Sequence, residues 1–125
     1  MTKVFIDGSA GTTGLRIFDR LSERRDLELV IFEGDRRKDP EARKEALTES
    51  DIAFLCLPDD VAREAAGLLG DADTVVIDTS TAHRTDDDWV YGFPELTGLR
   101  KRIRTGKRIA NPGCHASGFI SLIAP

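Results

Sequence analysis

A doubly wound α/β domain, with a mostly parallel sheet and helices on both faces, is the fold class this sequence predicts. Three observations predict it. Strand-like and helix-like hydrophobic periods alternate along the 125 residues, with no self-similar repeat and no low-complexity tract. A glycine-rich turn separates the first strand-like run from the first helix-like one. The run from Ile52 to Leu57 is continuously apolar, as in a strand covered on both faces.

Each element has its own signal. Val4, Phe5 and Ile6 form a short apolar strand ending at Gly8, and from Thr12 onward Leu15, Ile17, Phe18 and Leu21 recur at helical spacing until Arg25. Leu27 to Phe32 is again β-like. Asp39-Pro40 reads as an N-cap followed by the first residue of a short helix, over Pro40 to Leu47. Pro58 stops the third strand, and Asp59 and Asp60 offer N-caps to a helix that ends near Leu69 with Gly70 as its C-cap. A fourth strand spans Thr74 to Ile77, and a polar, irregular stretch runs from Asp78 to about Trp89, a length at which loops are usually functional. Short apolar pieces follow at Trp89 to Tyr91 and Arg108 to Ala110, then a turn at Asn111-Pro112-Gly113. Cys114 to Ile123 suits the start of a helix, and Phe119, Ile120, Leu122 and Ile123 need another surface to bury them, which marks the chain as the first part of a longer protein. The alternative is that this tail packs back on the sheet.

Composition narrows the function classes. No stretch reaches the roughly 18 apolar residues of a membrane span, and the polar start Met1-Thr2-Lys3 is unlike a secretory signal. The 18 basic and 22 acidic residues leave a net charge of -4 with the basic ones scattered, so duplex nucleic acid is not an expected partner. Cys56 and Cys114 lie in unlike contexts, which argues against a disulfide framework and for a reducing compartment, the cytoplasm. No cluster of Cys, His and carboxylates has metal-ligand spacing, so no metal site is expected.

The turn Gly8-Ser9-Ala10-Gly11-Thr12-Thr13-Gly14 stands where a dinucleotide-binding, Rossmann-like domain holds its pyrophosphate. There the chain must leave the strand sharply, approach phosphate without a Cβ, and aim helix N-H groups at the anion. The spacing is G-x-x-G-x-x-G and not G-x-G-x-x-G, and the same glycines could merely make a tight connection in a protein that binds no nucleotide. About 20 residues on, Glu33 suits a free ribose 2'-hydroxyl, whereas Arg36 and Arg37 suit a 2'-phosphate. The balance favours NADP. Lys38 reads better as part of a solvated loop.

Cys114 falls in the first turn of a helix, where partial positive charge lowers a thiol pKa and raises the thiolate fraction that attacks acyl carbons. A buried, inert cysteine is the competing reading, and it is the preferred one for Cys56, between Leu55 and Leu57. His115 points about 100° away from Cys114 on a helix and is not taken as its base. His83 and Arg84 lie in the loop after the fourth strand, where Arg84 either holds an anionic substrate group or pairs with Asp86 or Asp87.

Together these segments resemble N-acetyl-gamma-glutamyl-phosphate reductase in its shorter form. The resemblance rests on the glycine turn, on Asp78-Thr79-Ser80-Thr81-Ala82-His83-Arg84, on Tyr91-Gly92-Phe93-Pro94-Glu95-Leu96 and on Asn111-Pro112-Gly113-Cys114, in that order. It implies NADPH-dependent reduction of N-acetyl-glutamyl 5-phosphate to the 5-semialdehyde, in arginine biosynthesis, with Cys114 as the nucleophile that forms a thioester. It further implies cofactor contacts from Gly8, Ser9, Gly11, Thr12, Thr13, Gly14, Arg36, Arg37, Pro58 and Ser80, and substrate contacts from Asn111 and Arg84. Members of that family are more than twice as long, with a second α+β domain that carries the acid/base histidine and much of the dimer surface. The expectation is therefore that residues 1-125 form the NADP-binding domain of a homo-oligomeric two-domain enzyme acting on a small acyl phosphate, and that this piece alone is inactive. An aspartate-semialdehyde dehydrogenase-like enzyme and a nucleotide-binding module without chemistry are the alternatives.

Overall fold

The computed structural model describes residues 2–8, 11–32, 38–70, 72–84, 86, 88–92 and 98–111. Their elements follow the expected alternation: β1 (Thr2–Asp7), α1 (Thr12–Ser22), β2 (Leu27–Val30), α2 (Pro40–Glu49), β3 (Ile52–Leu55), α3 (Asp59–Leu69), β4 (Val75–Asp78), β5 (Val90–Tyr91), α4 (Leu99–Thr105) and β6 (Arg108–Ala110). They build a six-stranded sheet in the order β2-β1-β3-β4-β6-β5, and every strand pairing is parallel. The fold is Rossmann-like.

Local chemistry sets the boundaries. Asp39 caps α2 by accepting from the Glu41 N–H at 3.0 Å, and Pro40 opens the helix, where its missing N–H costs nothing. Helix α3 ends at Gly70, whose φ of +54° suits a residue without a Cβ. The N-cap of α3 is Pro58 and not an aspartate, because Asp59 is already helical and its carboxylate is engaged elsewhere.

The main core lies between the sheet and the α2–α3 face. Phe5, Ala53, Leu55, Val76 and Ala110 project from the strands toward Ala46, Leu47, Ala65 and Leu69. Two expectations differ here. The run Ile52 to Leu57 pairs only as far as Leu55, and its alternate residues Ile52 and Phe54 are half-buried, so β3 is fully covered on one face alone. Helix α4 has no counterpart in the sequence pattern, because Leu99 and Ile103 are the only apolar residues among its seven.

Candidate active site

Strand order reverses at β1, with β2 on one side and β3 on the other, and ligands of open parallel sheets bind at the carboxyl ends of strands beside such a point. The glycine turn leaves β1 here. Gly8 has φ +89°, and a Cβ on it would stand 2.2 Å from the carbonyl oxygen of Cys56, so the position excludes any side chain. The Gly11 N–H closes the turn on the Gly8 carbonyl at 3.1 Å. Gly11 is the N-cap of α1 and brings no capping side chain, the first helical turn carries no acidic residue, and Thr13 is exposed. The end of α1 therefore meets an incoming anion with backbone N–H groups and no competing carboxylate. Gly14 is buried, which brings α1 close to the sheet.

Two carboxylates close the strands on either side of β3. Asp7 at the end of β1 is buried against Arg43 of α2, with Nε 2.7 Å from Oδ2. Burial raises the Asp7 pKa, and the guanidinium offsets part of that rise. Asp78 at the end of β4 is 0% exposed and fully engaged. It accepts from the Ser80 N–H and hydroxyl, both at 2.9 Å, and pairs with His83 Nδ1 at 2.5 Å. The imidazole stacks on Trp89 with centroids 4.1 Å apart and planes 15° apart.

The loop after β4 is held from three sides. Thr81 donates its N–H at 2.8 Å, and its hydroxyl, to Asp59 in the first turn of α3, which holds the Asp59 carboxyl below the usual range. Arg84 Nε donates to the Asn111 carbonyl at 3.1 Å, and the Asn111 N–H donates to the Asp78 carbonyl at 2.8 Å. So Arg84 ties this loop to the end of β6, three residues before Cys114, and its Nε makes no ion pair with Asp86.

Pro58 is exposed at the start of α3, on the same edge as the glycine turn. Ser80 is there too, but it is buried and its hydroxyl is turned inward to Asp78. Ser9, Arg36, Arg37 and Cys114 lie outside the described residues, as does the side chain of Thr12. Gly8, Gly11, Gly14, Pro58, Ser80, Arg84 and Asn111 all fall at the carboxyl edge of the sheet. Cys56 departs from its expected place in the core: β3 ends at Leu55, and Cys56 is half-buried in the turn beyond it, with Gly8 against its carbonyl. Burial, aided by Asp7 and Asp78, pushes its thiol up to about 11. Asp7 and Arg43 have no role in the sequence-based expectations, Asp59 enters them only as an N-cap, and Trp89 only as the start of a short apolar piece. The available signal was an aspartate closing each of two apolar runs, at Asp7 and Asp78. Among the described residues no group of His, Cys, Asp and Glu could hold a metal ion, and no helix is long and apolar enough to cross a membrane.

Residues 3–105 match the family model of the semialdehyde dehydrogenase NAD-binding domain. N-acetyl-gamma-glutamyl-phosphate reductase from Chelativorans sp. is 55% identical over 98% of this chain and 40% of its own length, and the Burkholderia ambifaria reductase is 52% identical over 98% and 39%. N-acetyl-gamma-glutamyl-phosphate reductase 2 from Nostoc sp. is 49% identical over 98% of this chain and 38% of its own length. The chain thus spans about 40% of the length of these relatives. Among solved structures, aspartate semialdehyde dehydrogenase from Francisella tularensis superposes with a TM-score of 0.74 at 20% identity, over 98% of this chain and 39% of that one. The Candida albicans enzyme with NADP gives 0.71 at 16% identity, over 97% and 45%. At such identities these two speak for the fold alone.

Proposed function

The chain belongs to the semialdehyde dehydrogenase NAD-binding domain family, and from that premise we propose that it is the NADP-binding part of an N-acetyl-glutamyl 5-phosphate reductase. The observation that carries this reading is the convergence of the glycine turn, the Ser80–Arg84 loop and Asn111 on one sheet edge, three residues before Cys114. The names of the relatives at 49% to 55% identity support the choice of substrate.

The chain's own groups divide the work. The first turn of α1 and the Cβ-free approach at Gly8 receive a pyrophosphate, with Ser9, Gly11, Thr12, Thr13 and Gly14 completing the turn. Arg36 and Arg37 pair with a ribose 2'-phosphate. Pro58 and the backbone of Ser80 border the ring that supplies hydride when the coenzyme is bound. Cys114 Sγ attacks the acyl carbon, the bond to the phosphate oxygen breaks, and phosphate leaves with the electron pair, giving a thioester. Reduction of that carbon expels the thiolate and yields the semialdehyde. Asn111 and Arg84 hold the acyl oxygen or phosphate. The general acid belongs to a second domain of a longer, homo-oligomeric, cytoplasmic enzyme of arginine biosynthesis, so residues 1–125 alone give no turnover.

Two measurements on this chain test the reading. NADPH should bind more tightly than NADH by titration calorimetry, and Arg36→Ala with Arg37→Ala should remove the difference. Iodoacetamide near neutral pH should label Cys114 far faster than Cys56. Equal labelling would reduce the chain to a nucleotide-binding module without chemistry, and steady-state turnover by the isolated chain would overturn the assignment of the acid to another domain. In the longer enzyme, phosphate-dependent oxidation of N-acetylglutamate semialdehyde should exceed that of aspartate semialdehyde. The reverse order would move the substrate to the latter.

A further inference from the structure

Asp7 places a carboxylate where an anion site has least use for one. It closes β1 and is joined directly to Gly8, at the root of the turn that receives pyrophosphate in the function proposed above. The rest of that turn is free of acids: the first turn of α1 carries none, and Gly11 caps the helix without a side chain. A fixed negative charge at this place repels the anion that the helix N–H groups attract. Its field reaches the turn itself. Gly8 lies against the Cys56 carbonyl, and burial, together with the Asp7 and Asp78 carboxylates, raises the Cys56 thiol.

Arg43, in the first turn of α2, meets this carboxylate. Asp7 alternates with Phe5 along β1 and so shares the face that α2 covers, where Arg43 Nε stands 2.7 Å from Oδ2 and Nη2 stands 3.5 Å from Oδ1. The two side chains are nearly closed to water, so the guanidinium and not solvent does the neutralising. Asp78, at the end of β4, is compensated by another route, through Ser80 and His83 of its own loop. Holding α2 to the sheet does not in itself call for charge, since apolar side chains of like volume often serve as well as a buried ion pair.

We propose that Arg43 sets coenzyme affinity by acting through Asp7: its cation cancels the carboxylate at the root of the glycine turn, so pyrophosphate meets backbone N–H groups and no net charge. The identity of the ligand rests on the function proposed above. What the turn reads is then the summed charge at positions 7 and 43 and not the packing of the two side chains. Removing the acid alone should tighten binding, removing the base alone should weaken it, and removing both should leave it unchanged.

Calorimetric titration of NADPH into the 125-residue chain and its variants, at low salt, tests this. Asp7→Asn, which leaves the pair positive, should bind about tenfold more tightly than the parent, and Asp7→Asn with Arg43→Met, neutral again, should return to within about twofold of it. In about 1 M NaCl, where the Debye length is about 3 Å, the tenfold spread should narrow to about threefold or less, a change that a packing defect would not show. Equal affinities for Asp7→Asn and the parent would overturn the proposal, as would a double variant well below the parent or a spread that salt does not narrow. If Asp7→Asn does not fold by circular dichroism, Arg43→Met at about pH 8, where a free carboxyl is ionised, takes its place and should bind about tenfold more weakly than the double variant. Equal affinities in that pair would overturn the proposal too. A parent chain that takes up no NADPH removes the function proposed above together with this role for Arg43. A parent chain that binds, with variants that fail to order by charge, removes this role alone.

Discussion

A single hydrogen in place of a side chain decides the geometry at the end of β1. Replacing Gly8 by alanine forces a Cβ to 2.2 Å from the Cys56 carbonyl at a φ of +89°, so Gly8→Ala should cost on the order of 2 kcal/mol or more, read as a lower urea midpoint. Gly67 is the control: it lies inside α3, exposed, with nothing within 4 Å of the place a Cβ would take, and Gly67→Ala should stabilise by about 1 kcal/mol. Cys56, packed on the same turn, gives a prediction in pH. Its folded-state thiol is raised from 9.0 to about 11, so the folded chain keeps a proton that the unfolded chain loses first. Stability from this group is full below about 9 and falls as pH rises toward 11, and iodoacetamide labelling of Cys56 should climb with a midpoint near 11. A thiol that labels with a midpoint near 9 would mean that Cys56 is solvated. The need for glycine at position 8 was legible in the sequence, because a strand, a glycine and a helix start stood in order. The partner that enforces it, a carbonyl 48 residues away, was not, since only the β1–β3 pairing brings it there.

Among the elements, the loop after β4 shows how a segment without regular structure is fixed by its ends. Asp78 anchors it from below, Asp59 from α3, and Arg84 fastens it to the end of β6. His83→Phe keeps an aromatic ring on Trp89 but removes one of the bonds to a carboxylate that is 0% exposed, so it should cost about 1 to 3 kcal/mol by urea denaturation. An unchanged midpoint would show that the stack alone holds the loop. The strands and helices through β4 were readable within a few residues because each carries its own period or cap, such as Asp39-Pro40 for α2 and Gly70 for α3. Helix α4 was not readable. Lys101 and Arg102 are solvent-exposed, Leu99 and Ile103 are half-buried, and what makes it a helix is its position as the crossover that returns β6 between β4 and β5.

At the scale of the whole molecule, the described residues close one face of the sheet with α2 and α3 and the other, with α1 and α4, toward its edges, a difference no local pattern carries, because both faces of β3 read as equally apolar. What locks the α2–α3 face to the carboxyl edge of the sheet is an ion pair. Arg43 reaches from α2 across to Asp7, and their side chains are 11% and 5% exposed, so each is the other's main compensation for lost water. Arg43→Met removes the cation and leaves a buried carboxylate, which should lower stability by about 3 to 5 kcal/mol at neutral pH. The pH dependence fixes the cause. Burial already raises the Asp7 pKa above 3.8, and loss of the guanidinium raises it further, so the variant's folded state holds a proton that its unfolded state releases. The deficit against the parent chain should therefore be small below about pH 4, where Asp7 is neutral in both states, and should widen as pH rises through the variant's folded-state pKa. Urea midpoints of the two chains measured between about pH 3.5 and 7, a range set by the Asp reference value of about 3.9, decide it. A deficit that is the same at every pH would assign the loss to the packing of the Arg43 side chain, and would leave Asp7 with no charge-dependent part in joining α2 to the sheet.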